Sequence, residues 1–208
     1  MKRGLFITFE GGEGSGKTTQ IRKIARWLKK ERYLVLMTRE PGGTKFADWI
    51  RKIVLDKKNK GIDPLIELFL YEVARCDHII RRIVPYLRKG GIVLCDRFTD
   101  ATVAYQGYGR RLPLPLVKRL NQFVCQKTSP DKTFLFRLPL EVGMKRMRSR
   151  RGRMNRLDRE SRNFHKRVER GYLALACKEK GRFQFVDASQ SPQEVFRSLQ
   201  GELRWILP

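Results

Sequence analysis

The sequence of 208 residues has few cysteines and no long hydrophobic run. Its four cysteines, at positions 76, 95, 125 and 177, form no CxxC pair, which argues against a zinc knuckle or a dithiol redox pair. No stretch approaches the roughly 18 uncharged apolar residues of a membrane span. The amino-terminal residues also lack the apolar region of a signal peptide. From these absences we expect reduced thiols, a cytoplasmic location and no membrane segment.

Acidic residues are scarce relative to basic ones. The chain has 21 Asp and Glu against 46 Lys and Arg, a formal net charge of +25. Such a charge favours polyanionic partners, which include nucleotides, nucleic acid and anionic membrane surfaces. Apolar residues make up 41% of the chain and charged residues 32%, which is enough to build a core and argues against disorder.

The basic residues are densest between positions 145 and 170. This segment holds 12 Lys and Arg but only three acidic residues. For most of the 12 we interpret the pattern as a solvated helical face, because charged runs are typical of exposed helices. One or two of them suffice for the alternative function, an arginine-rich lid over a phosphate site, which we place at about residues 145–160.

Short apolar runs alternate with longer segments of helical periodicity. The predicted strands are Leu5–Phe9, Leu34–Thr38, Ile92–Cys95, Thr133–Leu138 and Phe183–Val186. The predicted helices are Lys17–Glu31, Pro64–Leu87 with a kink or break at Pro85, Leu157–Lys180 and Ser191–Leu207. This alternation predicts an α/β fold, a parallel sheet with helices on both faces. Because we find no internal repeat or low-complexity linker, we expect residues 1–208 to form a single domain.

A glycine-rich segment follows the first predicted strand and precedes the first predicted helix. Its residues, Gly11-Gly12-Glu13-Gly14-Ser15-Gly16-Lys17-Thr18, fit the pattern G-x-x-x-x-G-K-[ST]. Glycines let a backbone wrap a phosphate chain, and successive N–H groups at a helix N-terminus supply positive potential. Lys17 can reach the β- and γ-phosphates, and the Thr18 hydroxyl can ligate Mg²⁺. The segment predicts binding of a nucleoside triphosphate without identifying the reaction.

An Asp-Arg pair follows the third predicted strand. Asp96 and Arg97 come at its carboxyl end, the edge where open α/β sheets bind ligands. A carboxylate at this place can help to organise the metal, and the arginine can hold a phosphate through a bidentate fork. An ordinary surface ion pair is the alternative interpretation of these two residues.

Three separated segments carry motifs that occur together in one family. They are Phe9–Gln20, the string Thr38-Arg39-Glu40-Pro41-Gly42-Gly43-Thr44, and Asp96-Arg97-Phe98 followed by Ala104-Tyr105-Gln106-Gly107. Together they resemble the thymidylate kinases, which phosphorylate dTMP with ATP, and the resemblance covers nearly the whole chain. It implies a P-loop nucleoside monophosphate kinase fold with a five-stranded parallel sheet. It also implies a homodimer.

The resemblance implies how residues on the acceptor side are used. Glu13 holds the place of the acid that contacts the 3′-hydroxyl of dTMP or the metal, and Arg39 leads the loop that lines the acceptor site. Tyr71 stands where the family usually has a phenylalanine stacked on thymine. Its ring can still stack, although a core-facing aromatic is the alternative.

Further acceptor-side matches come from the second predicted helix and the region after the third predicted strand. Arg75 and Arg97 match the arginines near the base and the 5′-phosphate. Thr102 and Gln106 match positions near the base, and Tyr105 matches the tyrosine packed under the deoxyribose. These five residues complete the acceptor site that the resemblance implies.

The catalytic arginine is expected in the lid. The family carries it either in the P-loop or in the lid, and this P-loop has no basic residue between Gly11 and Gly16. The chain therefore resembles the bacterial lid-arginine type. Arg151 is the best match, and Arg150 and Arg153 remain alternatives.

The sequence also departs from the family at several positions. Ala101 replaces a residue that often carries a hydroxyl near the base, which weakens the expectation of selectivity for thymine. Arg153, Asn155 and Arg137 stand where relatives often have acids, and we have no physical account of the added positive charge.

We therefore expect an enzyme that transfers the γ-phosphate of ATP, as its Mg²⁺ complex, to dTMP. Two alternatives stay open at this point. The first is a monophosphate kinase with another acceptor, such as dUMP. The second is a nucleic-acid-binding P-loop protein that uses the 145–170 segment. Because the chain lacks any nucleic-acid module, we expect no specific nucleic-acid partner, although weak nonspecific binding of polyanions is compatible with the charge.

Overall fold

A computed structural model describes residues 4–149 and 154–207. Five strands form one parallel sheet in the order β2-β3-β1-β4-β5. The strands are β1 (Leu5–Gly11), β2 (Val35–Arg39), β3 (Ile92–Asp96), β4 (Lys132–Arg137) and β5 (Phe183–Asp187). All five predicted strands are present, with bounds that differ by one or two residues at their ends. The expected α/β fold with a five-stranded parallel sheet is confirmed.

Helices connect successive strands. They are α1 (Lys17–Lys30), α2 (Lys45–Leu55), α3 (Pro64–His78), α4 (Val84–Arg88), α5 (Thr99–Thr102), α6 (Leu114–Cys125), α7 (Leu140–Arg148), α8 (Arg162–Lys178) and α9 (Pro192–Ile206). Two π-helical turns, Ile79–Ile83 and Val103–Gly109, and one 3-10 turn, Leu157–Arg159, accompany them. Among the described residues, no helix has the length and apolarity that crossing a membrane requires.

The central strand β1 is buried on both faces. Ile7 and Phe9 pack in a core with residues of α1 and α9, while Phe6 packs in a second core with Phe98 and residues around α4. Burial on both faces is expected for a parallel strand, since the crossover helices cover each side of the sheet. β1 ends next to β3, with Phe9 in register with Asp96. This register brings the segments that follow the two strands to the same edge.

The segment predicted as one helix, Pro64–Leu87, is divided in the structure. α3 ends at His78, and the π-helical turn Ile79–Ile83 precedes α4, in which Pro85 lies in the first turn. Proline has no N–H and its ring crowds the preceding turn, so a regular α-helix cannot pass through it. The irregularity that Pro85 predicts is present, and it lies one turn upstream of the proline.

The prediction of a continuous helix over Leu157–Lys180 is wrong. A single 3-10 turn, Leu157–Arg159, comes first, and α8 begins only at Arg162. The Ser161 side chain accepts a hydrogen bond from the Phe164 N–H at 3.2 Å and caps the start of α8. A serine cap at this position ends the turn and starts a new helix, because its oxygen satisfies an N–H that has no partner within the helix.

Candidate active site

One cavity of about 580 Å³ lies at the carboxyl edge of the sheet, where β1 and β3 end. Its lining includes Lys17 from the glycine-rich loop and Arg97 from the segment after β3. It also includes the acceptor-side residues named from the sequence, which are Glu13, Arg39, Tyr71, Arg75, Thr102, Tyr105 and Gln106. The structure thus brings the donor and acceptor motifs to a single site.

The glycine-rich loop folds tightly between β1 and α1. Gly14 and Gly16 have φ values of 72° and 85°, which side chains other than glycine rarely adopt. A Cβ on Gly14 would also stand 2.5 Å from the carbonyl oxygen of Gly143 in α7. Gly14 is therefore required both by its backbone conformation and by the close approach of α7. Gly11 and Gly12 border a second, smaller cavity of about 60 Å³ behind the loop.

Lys17 is buried and hydrogen-bonded to its own loop. Its Nζ donates to the carbonyl oxygens of Gly11 at 3.0 Å and Gly12 at 2.8 Å, and to the Ser15 hydroxyl at 3.2 Å. Burial and the charge of Arg97 lower the pKa of Lys17 to about 8. An anion entering the loop would stabilise the ammonium form, so the pocket is arranged to receive negative charge.

Thr18 and Asp96 meet at the mouth of the glycine-rich loop. The Thr18 hydroxyl donates to Asp96 Oδ2 at 2.5 Å. A hydroxyl and a carboxylate supply the hard oxygen ligands that Mg²⁺ prefers. Among the described residues, no group of three or more His, Cys, Asp or Glu side chains could hold a metal by itself. Mg²⁺ binds through one or two protein oxygens together with substrate phosphates, and Thr18 and Asp96 are the two side chains placed to supply such oxygens.

Arg97 lies between the glycine-rich loop and α8. Its Nη2 donates to Glu13 Oε1 at 2.7 Å, and its Nη1 donates to the Tyr172 hydroxyl at 2.8 Å. Its guanidinium carbon lies 4.9 Å from the ring centre of Tyr105, whose hydroxyl donates to the same Glu13 oxygen at 3.2 Å. Burial would raise the pKa of Glu13, but Arg97 and Lys17 outweigh it and lower that pKa to about 2. Glu13 is therefore a carboxylate at every physiological pH.

The Glu10 side chain is buried beneath Arg97. Its Oε1 accepts from the Phe98 N–H at 2.7 Å, and its Oε2 accepts from the Tyr172 hydroxyl at 2.8 Å. Burial and the charge of Asp100 raise the pKa of Glu10 to about 8. These contacts hold the backbone after β3, where Arg97 has a φ of 74°. Glu10 thus supports the conformation that directs Arg97 into the cavity.

Arg75 on α3 is almost fully buried at the base of the acceptor side. Its guanidinium donates to Glu40 at 2.8 Å, to Glu72 at 2.6 Å, and to the side chains of Asn121 and Thr102, both at 2.7 Å. Burial opposes the charge, but the two carboxylates outweigh it, so the pKa of Arg75 rises above its ordinary value. The four bonds hold this cation rigidly at the cavity wall.

The remaining acceptor-side residues form the other walls. Tyr71 on α3 is buried, and burial raises the pKa of its hydroxyl above the ordinary value. Gln106 lies in the π-helical turn Val103–Gly109 and donates from Nε2 to Glu67 at 2.7 Å. Arg39 is half-exposed and pairs with Asp48 at 3.2 Å, and Ala101 also borders the cavity.

Arg51 is a cation of the acceptor side that the sequence motifs do not indicate. Arg51 on α2 lines the cavity, and its Nη1 donates to the carbonyl oxygen of Pro41 at 2.8 Å. Burial and the nearby charge of Arg39 lower the pKa of Arg51. No motif marks this residue, although its position on the amphipathic helix after the T-R-E-P-G-G-T string would have been a signal.

The segment expected to form a lid begins within α7. α7 ends at Arg148, and the expected catalytic residue Arg151, with the alternatives Arg150 and Arg153, lies outside the described residues. Arg156 does not belong to a solvated face, contrary to our expectation for most of this segment. It is buried, and its guanidinium donates to Glu67 and to the carbonyl oxygen of Val54. A buried carboxylate on α3 accounts for the difference, because it pairs with this arginine in the folded chain.

Comparison with known proteins identifies a family. Residues 9–199 match the model of the family described as thymidylate kinase. A thymidylate kinase of Geotalea daltonii is 49% identical over 198 residues, which is 92% of each chain, and one of Bacillus pumilus is 44% identical over 197 residues, 94% of this chain and 93% of that one. The crystal structure of thymidylate kinase from Ehrlichia chaffeensis is 33% identical and has a TM-score of 0.78, covering 97% of this chain and 99% of that chain.

The features of the cavity are consistent with the family that the comparisons identify. The glycine-rich loop and a cluster of buried cations face one cavity at the edge of a five-stranded parallel sheet. The family model covers well over half of the chain, and the relatives exceed 40% identity over nearly all of it. The chain belongs to the thymidylate kinase family.

Proposed function

We propose that this chain transfers the γ-phosphate of ATP to dTMP, giving dTDP and ADP, through the residues that meet in the large cavity. The observation that carries the proposal is the placement of Lys17 and Arg97, which line the same cavity from the glycine-rich loop and from the end of β3. A donor and an acceptor that both carry phosphate need two cationic sites facing each other. Neither another acceptor nor nucleic-acid binding is favoured by the family to which the chain belongs.

The donor side would hold ATP through the glycine-rich loop. Its residues 11–18 present backbone N–H groups and the N-terminus of α1 to the phosphates. Lys17 would leave its carbonyl partners and bind the β- and γ-phosphates. Thr18 and Asp96 would hold Mg²⁺, which neutralises charge on the phosphate oxygens when it is bound.

The acceptor side would hold dTMP across the cavity. Arg97 would bind the 5′-phosphate, and Arg39 and Arg51 add positive charge around it. Glu13 would accept a hydrogen bond from the 3′-hydroxyl, and Tyr105 would pack under the deoxyribose. Arg75, Thr102 and Gln106 would surround the base, with Tyr71 stacked on its face, in the roles that the resemblance to the family implies.

The reaction needs alignment and charge neutralisation more than proton transfer. An oxygen of the dTMP phosphate attacks the γ-phosphorus, and the bond from that phosphorus to the ADP oxygen breaks with its electrons. Because the attacking oxygen is already anionic, no general base is required. Lys17 and Arg97 hold the two reactants in line, which lowers the entropic part of the barrier. Arg151, or one of its neighbours Arg150 and Arg153, would neutralise the transferring group from the lid.

A panel of acceptors tests this function. We expect release of ADP coupled to phosphorylation of dTMP, with much lower kcat/KM for dGMP, CMP and UMP. Arg97→Ala should lower kcat/KM for dTMP by about 10²–10³-fold, because one charge-stabilising donor is lost. Equal rates with all acceptors, or an Arg97→Ala variant as active as the parent, would contradict the proposal.

A homodimer is part of the proposal. α2 and α3 pack side by side, and together they expose Phe46, Trp49, Ile66, Phe69 and Val73. Ile66, Phe69 and Val73 repeat at helical spacing, so they form one apolar stripe on α3. A contiguous apolar surface of this kind marks a protein interface. We propose that a second copy of the chain covers it.

Light scattering tests the dimer face. Phe69→Glu places a charge in the middle of the apolar stripe and should shift the mass of the particle from dimer to monomer. Trp205→Glu is the matched control, since Trp205 on α9 is 90% exposed and lies on another element. A dimer that survives Phe69→Glu, or one that Trp205→Glu disrupts, would place the interface elsewhere.

The free cysteines and the net charge bear on where the enzyme acts and what else it binds. We place the enzyme in the cytoplasm, acting as a single domain. The four cysteines are free thiols, which suits a reducing compartment. The net charge of +25 supports weak, salt-sensitive binding of polyanions without a specific nucleic-acid partner.

A further inference from the structure

Glu67 on α3 is a carboxylate with no solvent exposure, and it lies behind the acceptor side of the cavity. Its Oε1 accepts from Gln106 Nε2 at 2.7 Å and from Arg110 Nε at 3.2 Å. Its Oε2 accepts from Arg110 Nη2 at 3.1 Å and from Arg156 Nη2. Two cations and one amide therefore converge on a single buried acid, which the proposed reaction does not use directly.

The two arginines keep Glu67 ionised. Burial would raise the pKa of Glu67, but the hydrogen bonds and charge of Arg110, together with the bonds from Gln106 and Arg156, outweigh it and lower that pKa. An ionised carboxylate only accepts hydrogen bonds. The Gln106 amide must therefore present its nitrogen to Glu67.

This contact settles which way round the Gln106 amide lies. With Nε2 bound to Glu67, the carbonyl oxygen Oε1 is left, and it makes no hydrogen bond within the described part of the chain. Gln106 itself lines the cavity together with Tyr71 and Thr102. The amide atom available to a ligand is thus a hydrogen-bond acceptor.

We propose that Glu67 is a positioning residue that sets base selectivity, by fixing Gln106 so that its Oε1 accepts a hydrogen bond from the N3–H of the acceptor base. This inference rests on the proposed function. Thymine and uracil carry a hydrogen at N3, whereas cytosine has a lone pair there. An acceptor on the protein therefore binds the first two bases and opposes the third.

The substitution Glu67→Gln should reverse the orientation of the Gln106 amide. Two arginine N–H groups donate to the Oε2 position, from Arg110 Nη2 and Arg156 Nη2, whereas only one, from Arg110 Nε at 3.2 Å, donates to the Oε1 position. The new amide therefore keeps its oxygen at the Oε2 position and gives up the bond from Arg110 Nε. Its NH₂ group then takes the Oε1 position, where it meets Gln106. Two donors cannot face each other, so the Gln106 amide turns over. Its NH₂ then faces the cavity, where it can donate to N3 of cytosine.

The experiment measures kcat/KM for dTMP, dUMP and dCMP with the full-length enzyme. In Glu67→Gln we expect the dCMP/dTMP ratio to rise by about 10–100-fold, since one hydrogen bond is lost for thymine and gained for cytosine. The dUMP/dTMP ratio should not change, because uracil keeps the N3 hydrogen. A general loosening of the site would instead move both ratios.

Glu160→Gln is the matched control. Glu160 pairs with Arg110 Nη2 at 2.7 Å, and no hydrogen bond joins it to Gln106. The substitution Glu160→Gln therefore removes a carboxylate charge beside the same arginine without touching Gln106. Both ratios should stay at the values of the parent enzyme. If Glu160→Gln raises the dCMP/dTMP ratio as much as Glu67→Gln does, the effect is one of charge and the proposal fails.

Gln106→Met tests the inference without removing the ion pairs of Glu67. It should raise the dCMP/dTMP ratio while leaving the dUMP/dTMP ratio unchanged, and adding Glu67→Gln to it should have no further effect on either ratio. This variant keeps the test valid if Glu67→Gln does not fold. An unchanged dCMP/dTMP ratio in Gln106→Met overturns the inference. A parent enzyme that does not phosphorylate dTMP would overturn the proposed function instead.

Discussion

The two sides of the cavity are built in different ways. The proposed donor side is one continuous loop, residues 11–18, whose backbone would supply most of the binding groups. The acceptor side is assembled from side chains of α2, α3, the segment after β3 and the π-helical turn Val103–Gly109. Within the described residues, Lys17 on the donor side hydrogen-bonds to atoms of its own loop, whereas Arg75 on the acceptor side has four side-chain partners, three of them outside α3.

This difference predicts that losing the donor-side lysine affects activity, whereas losing a buried acceptor-side cation affects stability. A loop that binds through backbone N–H groups can lose its lysine and still fold, because the partners of Lys17 are uncharged carbonyl and hydroxyl oxygens, so no buried charge is left without a counter-charge. A buried cation with two carboxylate partners cannot be removed in the same way, since the acids would remain in the interior without a counter-charge. We therefore expect substitutions of Lys17 and Arg75 to differ, the first lowering activity and the second lowering stability.

Arg75→Met should have the largest effect on stability. It leaves Glu40 and Glu72 buried and without their cation, and breaking such a pair costs about 3–5 kcal/mol. Urea unfolding measures the loss. Arg39→Ala is the control, since the Arg39–Asp48 pair is 55% and 42% exposed and should contribute less than about 1 kcal/mol. Equal losses in both variants would mean that burial of the Arg75 ion pairs does not increase their contribution to stability.

Lys17→Ala should show the opposite signature. Turnover should fall by about 10²–10³-fold, because a charge that stabilises the transferring phosphate is lost. The free energy of unfolding should change by less than about 1 kcal/mol, as expected for a group whose pKa shows that burial disfavours its charge. Release of ADP and urea unfolding of the same preparation give both values. A Lys17→Ala protein that unfolds like Arg75→Met would mean that the donor loop is also a structural element.

The pH dependence of kcat/KM gives a second test of the role of Lys17. The pKa of Lys17 is lowered to about 8, so the ammonium form is lost as the pH rises through that value. We expect kcat/KM for ATP to fall above about pH 8, approaching tenfold per pH unit, because this quantity reports the free enzyme. At saturating ATP the phosphates raise the pKa, so kcat should stay level to higher pH.

Glu10 provides the control for this pH profile, since its pKa is also about 8. Glu10→Gln removes that titration and keeps the side-chain shape beneath Arg97. The fall in kcat/KM above pH 8 should remain in this variant. Its disappearance would assign the profile to Glu10 and not to Lys17.

Tyr71 gives the smallest expected effect. Tyr71→Phe keeps the ring that would stack on the base, so kcat/KM for dTMP should stay within about threefold of the parent value. Tyr71→Leu removes the aromatic face and should raise the KM for dTMP, since stacking contributes about 1–3 kcal/mol. Steady-state kinetics with dTMP measure both. A large loss in Tyr71→Phe would assign the role to the hydroxyl.

Much of the fold could be predicted because its signals are local. The five strands are short apolar runs between turn residues, and α1 and α9 have clear amphipathic stripes. The breaks within two predicted helices could be located less well. The end of α3 depends on the turn before Pro85, and the start of α8 depends on the Ser161 cap. Each feature is a few residues long and lies inside a longer periodic pattern, which conceals it.

The sequence by itself determined the sheet and the donor loop, because the strand periodicity and the residues 11–18 are contiguous in the chain. Only the tertiary structure decided which buried charges pair. Arg75 meets Glu40 across 35 positions, and Arg156 meets Glu67 across 89. No local pattern marks such pairs, since each side chain taken alone looks like part of a solvated surface. Burial in one folded core makes them partners, because a charge there must find its counter-charge.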